Sequence, residues 1–335
     1  MLASVASISL MGLIALVAFL LSKTLVVSSR HPLEATAVAI IIGVFVRFSG
    51  LLPAKTLQTL KVYEKILIWG IIFIGASLNF REIANQGPKI LLVIGLTMTL
   101  SFSLIMALSR LFRLPTDLSL LLTVGTTICG TTAIAVTAPL IKARQEAISY
   151  AVATITLWGL TAIFIYPGLA HQLGLSDLHF GVFAGTAIHA TPQVVAAGFT
   201  FSSVAGKTAT AVKLIRNCFI APLALLIALW WMSRQAEPEG NSSKLGRVQW
   251  TRAFPWFLFG YFLMAGLNGL GYLPSEGVGY LSSLGRILIL VSMAGIGLAA
   301  DLKSIFKVGL KPILIGLVAA LAIASFSLAF IYLML

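Results

Sequence analysis

Three stretches of the chain place polar residues, glycine or proline inside apolar runs, and the first is residues 125–139. Its sequence, GTTICGTTAIAVTAP, holds five threonines, two glycines and a proline. Glycine loosens a helix and proline removes a backbone donor, so the pattern predicts an interrupted helix. Freed N–H groups and threonine hydroxyls would form a neutral anion-binding nest at the N-terminus of the following half-helix. The alternative is close packing of helices through small residues. The candidate binding residues are Thr126, Thr127, Cys129, Gly130, Thr131 and Thr132.

The second stretch is residues 185–198, GTAIHATPQVVAAG. An ionisable or amide side chain at membrane depth indicates a functional site by default. A histidine there could bind an anion or carry a proton, and the alternative is a hydrogen-bonded histidine of the core. The candidate binding residues are His189, Thr191 and Gln193.

The third stretch contains Lys213, Arg216 and Asn217, whose spacings of three and four place them on one helical face. About 20 residues of helix cross the hydrocarbon, and the far boundary is set by Trp230 and Trp231. Lys213 then lies near the other boundary, where a lysine can also snorkel to the surface. Arg216 would be roughly 8 Å inside. Both side chains are candidate ligands for an anion.

The composition requires a lipid solvent for the whole chain. Of 335 residues, 59% are hydrophobic and 10% are charged, with a mean hydropathy of +1.02. Soluble domains carry roughly 25% charged residues. The net charge of +13 comes from basic residues scattered through short polar gaps, which favours membrane topology over nucleic-acid binding. A cationic interior also favours an anionic substrate.

The apolar runs predict an all-α polytopic membrane protein with about 10–11 transmembrane helices in a single transmembrane domain over residues 1–335. A polar linker at 233–252 separates a first membrane block (1–232) from a second (253–335). Lys and Arg are more frequent in the even-numbered gaps, which places the N-terminus and the linker in the cytoplasm. The predicted spans are 5–25, 34–49, 65–80, 89–109, 118–141, 147–168, 180–200, 206–232, 253–272, 284–300 and 312–335.

Two short sequences recur along the chain. Residues 125–131 resemble 185–191, and residues 75–78 resemble 295–298. Paired interrupted helices of this kind indicate a transporter site. The third and tenth spans run in opposite directions, as inverted repeats require, whereas the fifth and seventh run in the same direction. We therefore expect inverted repeats with broken helices, with the second pair as an open question.

Several chemical signatures are absent from the sequence. It has no P-loop, no HExxH, no GxSxG and no cysteine-rich metal pattern. We expect no catalytic residue, cofactor or metal. Acidic residues lie at span ends, so no carboxylate-based sodium or proton site is evident. An intramembrane enzyme using His189 would need a second acid or base, and a structural scaffold would not explain paired interrupted helices.

The motifs ICGTTAIAVTAPLIKARQEA, FGVFAGTAIHATPQVVAAG and VKLIRN resemble the YeiH-like family of conserved bacterial membrane proteins labelled as sulfate exporters. That family is grouped with the bile-acid/sodium symporter-like superfamily, which implies inverted repeats and crossed broken helices. Members commonly carry an acidic residue after the histidine, where this chain has Ala190. If that carboxylate carries a coupling proton in the relatives, the resemblance implies that this protein couples transport to protons differently or not at all. The matching positions are Cys129, Gly130, Ala133, Pro139, Lys142, Gly185, His189, Gln193, Ala197, Gly198, Lys213 and Arg216.

The sequence thus predicts a secondary transporter for a small anion, with sulfate or a small organosulfonate as the substrate that the resemblance implies. The alternative is an uncoupled anion channel or facilitator. The expected location is the bacterial inner membrane, with many crossings. The expected partners are the anion and the lipid bilayer, not nucleic acid, and assembly as a homodimer is left open.

Overall fold

The computed structural model describes residues 2–24, 35–50, 52–53, 56, 59–78, 80–234, 257–300 and 309–335, and these residues form an all-α polytopic membrane protein without β-strands. Most of the linker predicted at 233–252 lies outside the described residues. A π-helix, Gly125–Cys129, follows directly after α5. The α-helices are α1 Leu2–Thr24, α2 Ala35–Phe48, α3 Val62–Gly75, α4 Phe80–Leu111, α5 Thr116–Val124, α6 Thr131–Leu140, α7 Gln145–Gln172, α8 Asp177–Ala187, α9 Thr191–Phe201, α10 Ser203–Asn217, α11 Ile220–Arg234, α12 Phe257–Gly269, α13 Ser275–Ala299 and α14 Leu310–Met334.

Six helices of the described residues are long and apolar enough to cross a membrane. They are α1, α4, α7, α13, α14 and the nearly continuous pair of α10 and α11. Each of the eleven predicted spans overlaps one helix or one pair of consecutive helices. The fifth and seventh predicted spans are pairs of short helices, which confirms the prediction of broken helices.

The first helix group consists of α1, α2, α3, α12 and α13, which pack around one apolar core. Glycines allow α13 to lie directly against its neighbours. A Cβ atom added to Gly43 of α2 would lie 2.6 Å from the carbonyl oxygen of Ala294, and one added to Gly285 would lie 2.9 Å from that of Gly70 on α3. Such contacts between small residues replace hydrophobic burial as the source of helix association in lipid.

The second helix group consists of α4 to α11 and α14. Its centre is α10, which packs against α8 and α9 through further glycines. A Cβ atom on Gly185 of α8 would lie 2.7 Å from the Cβ atom of Val212, and one on Gly198 of α9 would lie 2.8 Å from the Cα atom of Gly206. Because α8 and α9 are held this close, the polar face of α10 lies directly beside their broken ends.

Candidate functional site

The first helix break lies between α5 and α6 and is produced by the π-helix and Gly130. The N–H group of Gly130 donates to the carbonyl oxygen of Gly125 at 2.7 Å, which closes a wide turn. Gly130 then adopts φ 70° and ψ −126°, a conformation that a residue with a Cβ atom strongly disfavours. The chain changes direction there, and α6 begins at Thr131.

The second break lies between α8 and α9. Residues 188 and 190 are extended, with φ of −85° and −93°. Pro192 lies in the first turn of α9, where a proline is tolerated because the N–H group that it lacks would have no partner within the helix. The side-chain oxygen of Gln193 accepts a hydrogen bond from the N–H group of Ala190 at 3.1 Å, and the Gln193 amide packs directly against Gly159 of α7. These contacts hold the extended residues in place.

The two breaks meet each other. A Cβ atom added to Gly130 would lie 3.2 Å from the Cβ atom of Ala190. We name this region, residues 125–132 and 185–193, the crossing. Four helix ends converge in it: the C-terminal ends of the π-helix and α8, and the N-terminal ends of α6 and α9.

Lys213 and Arg216 of α10 bind the C-terminal ends at the crossing. The Nζ atom of Lys213 donates to the carbonyl oxygens of Ile128 and Ile188, at 2.8 Å each. Arg216 donates from Nε to Thr127 at 2.7 Å, from Nη2 to Thr126 at 2.8 Å, and from Nη1 to Gly185 and Thr186 of α8. Each broken helix therefore presents three backbone carbonyl oxygens to these two cations.

The hydrogen bonds from Lys213 and Arg216 give partners to carbonyl oxygens that a helix C-terminus otherwise leaves without a donor. The last four carbonyl oxygens of a helix have no intrahelical donor, and the end carries roughly half a negative charge. Lys213 and Arg216 are 0% and 1% exposed, so neither side chain reaches water. In this structure they bind backbone rather than facing the cavity described next.

The N-terminal ends of α6 and α9 border a single cavity of about 940 Å³. The cavity lies between the two helix groups. One wall comes from α3, the start of α12 and the end of α13, and the other from the crossing, α7 and the junction of α10 with α11. Neither N-terminal cap residue, Gly130 or Ala190, has a side chain that can accept a hydrogen bond. The first N–H groups of a helix have no partner within the helix, and the first residues of both helices, Thr131 and Thr191, line the cavity.

The sequence relationships of the chain agree with a membrane protein. A family model described as "Conserved hypothetical protein 698" matches residues 6–316. The chain belongs to this family. A UPF0324 membrane protein of Bacillus cereus is 33% identical over 297 residues, which cover 88% of this chain and 85% of the relative. UPF0324 membrane proteins of Yersinia pestis and Pseudomonas aeruginosa are each 34% identical, cover 85% of this chain, and are themselves covered to 80% and 82%.

The structure divides the predicted site residues into two sets. Five of them line the cavity: Cys129, Thr131, Thr132, Thr191 and Gln193. The other six belong to the buried framework of the crossing: Thr126, Thr127, Gly130, His189, Lys213 and Arg216. All eleven are therefore brought together, but with different neighbours.

The sequence reasoning missed several residues of the cavity wall. Tyr63 and Glu64 come from α3, and Thr156 comes from α7. No local pattern distinguishes these residues, because only the packing of distant helices brings them to the cavity. Asn217 also lines the cavity, and its Nδ2 atom donates to the Thr191 hydroxyl at 3.1 Å. Unlike the other three, Asn217 is indicated by the sequence, because its spacing places it on the helical face of Lys213.

Three buried polar atoms at or beside the crossing have no hydrogen-bond partner within the described part of the chain. They are Nδ1 of His189, Oδ1 of Asn217 and the hydroxyl oxygen of Thr127. His189 is 2% exposed and Asn217 is 4% exposed. Buried polar atoms are nearly always hydrogen-bonded. Of the three residues, only Asn217 lines the cavity, where its side-chain oxygen can accept a hydrogen bond from water or from a donor group of a ligand.

Proposed function

We propose that this membrane protein is a secondary transporter that exports a small anion across the bacterial inner membrane, and that it belongs to the bile-acid/sodium symporter-like superfamily. Sulfate or a small organosulfonate is the proposed substrate. One observation carries the proposal: two helix N-termini open into one cavity, while both C-termini of the same broken helices are bound by buried cations. The proposal assigns no catalytic reaction and no cofactor.

The charges at the crossing favour an anion. Lys213 and Arg216 bring two positive charges, whereas the two helix C-termini that they bind contribute only about half a negative charge each. About one positive charge remains, and the two N-termini facing the cavity add about half a charge each. The local surplus is therefore about two positive charges, which suits a divalent anion.

The charged residues of the cavity wall do not cancel this surplus of positive charge. Among its described residues Glu64 is the only acidic one, and Lys61 lies in the same wall. The exposed hydroxyls of Thr131 and Thr132 stand at the first turn of α6. Hydroxyls and backbone N–H groups are donors that bind oxyanions at helix N-termini. A cavity of this size is large enough for an organic sulfonate.

Counterflow in vesicles tests the function. Purified protein is reconstituted into vesicles preloaded with unlabelled sulfate, and uptake of radiolabelled sulfate is followed. A carrier should accumulate label transiently above its equilibrium level, whereas an uncoupled channel or facilitator should only equilibrate it. Absence of sulfate flux, together with absence of methanesulfonate flux, would refute the proposed substrate class.

A pair of matched substitutions links transport to the cavity. Thr132→Val removes a cavity hydroxyl and keeps the side-chain volume, and Thr137→Val makes the same change at a buried position of α6 away from the cavity wall. A hydrogen bond to a charged group contributes about 1.5–3 kcal/mol. Thr132→Val should therefore weaken sulfate binding by about tenfold to hundredfold. Thr137→Val should leave it unchanged, and equal effects would separate transport from this cavity.

A further inference from the structure

Helix α10 carries three basic side chains, and each of them binds the C-terminal end of another helix. Lys207 donates to the carbonyl oxygen of Ser77, just beyond α3, at 3.2 Å. Lys213 and Arg216 together bind the two broken helices at the crossing. Of the three, Lys207 is only half-buried, whereas the other two are completely enclosed.

The position of the Lys213 ammonium group has the chemistry of a cation site. In transporters with discontinuous helices, unwound carbonyl groups and the C-terminal ends of half-helices coordinate Na⁺. The Nζ atom of Lys213 lies between one carbonyl oxygen from each broken helix, Ile128 and Ile188. Both helix ends contribute negative potential at this point. A monovalent cation would find the same ligands there if the lysine were absent.

We infer that Lys213 is a built-in substitute for a bound monovalent cation, so that the crossing is held together without Na⁺. The positive charge that joins the two broken helices is then part of the polypeptide and does not enter or leave. As far as it concerns transport, this inference rests on the proposed function, and it predicts that sulfate binding and flux are independent of Na⁺. The structural half, a cation position occupied by Lys213, stands without any substrate.

The first test uses the unaltered protein. Its thermal unfolding is measured in detergent in NaCl, KCl and choline chloride at one ionic strength. Because the cation position is already filled, the melting temperatures should agree within about 1 °C. A saturable stabilisation by Na⁺ alone, which is the signature of a bound ion, would overturn the inference.

The second test vacates the position. Lys213→Ala removes the ammonium group and its carbon chain, and the variant should unfold at lower temperature. Na⁺ or a small alkylammonium ion such as n-propylammonium should restore its melting temperature saturably, by about 3 °C or more. Lys207→Ala is the matched control, because water can reach the half-buried carbonyl group that it vacates. A folded Lys213→Ala that responds to cations no more than Lys207→Ala would contradict the inference.

A second variant covers the case in which Lys213→Ala does not fold. Lys213→Met keeps most of the side-chain volume and vacates only the ammonium position between the two carbonyl oxygens. It should therefore gain a dependence on Na⁺, whereas n-propylammonium should not stabilise it. Binding of radiolabelled sulfate to the unaltered protein in NaCl and in choline chloride should agree within about twofold. If sulfate binds in neither salt, the proposed function fails, while the unfolding experiments still decide the role of Lys213.

Discussion

Replacing Arg216 by glutamine should destabilise the protein strongly, because Arg216 joins the two broken helices. Four of its five N–H groups are placed towards carbonyl oxygens, two on the π-helix and two on α8. A glutamine amide is shorter, carries no charge and cannot reach both helices. At least two carbonyl groups, such as those of the buried residues Thr126 and Thr186, would lose their donor.

The magnitude follows from these contacts. A buried polar group left without its partner costs about 1–3 kcal/mol, and disrupting a buried charged interaction costs about 3–5 kcal/mol. We expect Arg216→Gln to lower the free energy of unfolding by about 3–5 kcal/mol, which for a chain of 335 residues corresponds to a melting temperature roughly 4–7 °C lower. The measurement is thermal unfolding in detergent, followed by tryptophan fluorescence.

Arg144→Gln provides the control. Arg144 makes a two-point ion pair with Asp117, through Nε at 2.8 Å and Nη2 at 3.0 Å, but its side chain is exposed. Exposed ion pairs contribute little to stability, so this variant should melt within about 2 °C of the unaltered protein. If Arg216→Gln is no less stable than Arg144→Gln, Arg216 does not hold the crossing together. Arg216→Lys keeps the charge but not the two-helix contact, and it should therefore bind sulfate better than Arg216→Gln.

Three further predictions concern the crossing and the first helix group. Gly130→Ala should lower the melting temperature by more than Gly174→Ala. Both glycines have positive φ, but only Gly130 also contacts the other helix break. Equal losses would mean that the contact with Ala190 is unimportant. Gly43→Ala should lower the free energy of unfolding by about 1–3 kcal/mol, because the added methyl group overpacks against α13. Gly95→Ala should be neutral or stabilising, because a Cβ atom there has no neighbour within 4 Å. Unfolding in detergent compares the two variants. If His189 gains a proton when the anion binds, sulfate affinity measured by calorimetry should rise as pH falls from about 7 to about 5. His189→Gln should then flatten this dependence of affinity on pH. If the affinity of the unaltered protein does not change with pH, His189 only supports the helix break.

The sequence predicts the helices well because lipid imposes a simple rule on them. About twenty apolar residues are needed to cross the hydrocarbon, and backbone can be irregular only where protein or a water-filled cavity satisfies it. Runs of Gly, Pro and Thr at membrane depth therefore predict interrupted helices within residues 125–139 and 185–198. The structure confirms both interruptions and places them at Gly130 and at residues 188–190. Inverted symmetry of the repeats stays a prediction.

The contacts inside the site are much harder to predict from sequence. The sequence indicates that Lys213 and Arg216 share one helical face, but it does not show what that face meets. Whether a buried cation binds a substrate or a helix end depends on helices more than twenty residues away in the chain. For the same reason the contribution of Tyr63 and Glu64 to the cavity wall has no signal in their own neighbourhoods.

Binding of radiolabelled sulfate to Thr132→Asp and Thr132→Asn tests the central claim most directly. Thr132 lies at the first turn of α6 and faces the cavity, and a carboxylate there suits the helix N-terminus, so the protein should remain folded. The same carboxylate would occupy the positive potential proposed for the anion. Two unit charges about 4 Å apart near a protein surface repel by about 4 kcal/mol, so Thr132→Asp should bind sulfate at least about a hundredfold more weakly than the neutral Thr132→Asn. Equal sulfate affinity of the two folded variants would contradict an anion site at these helix N-termini.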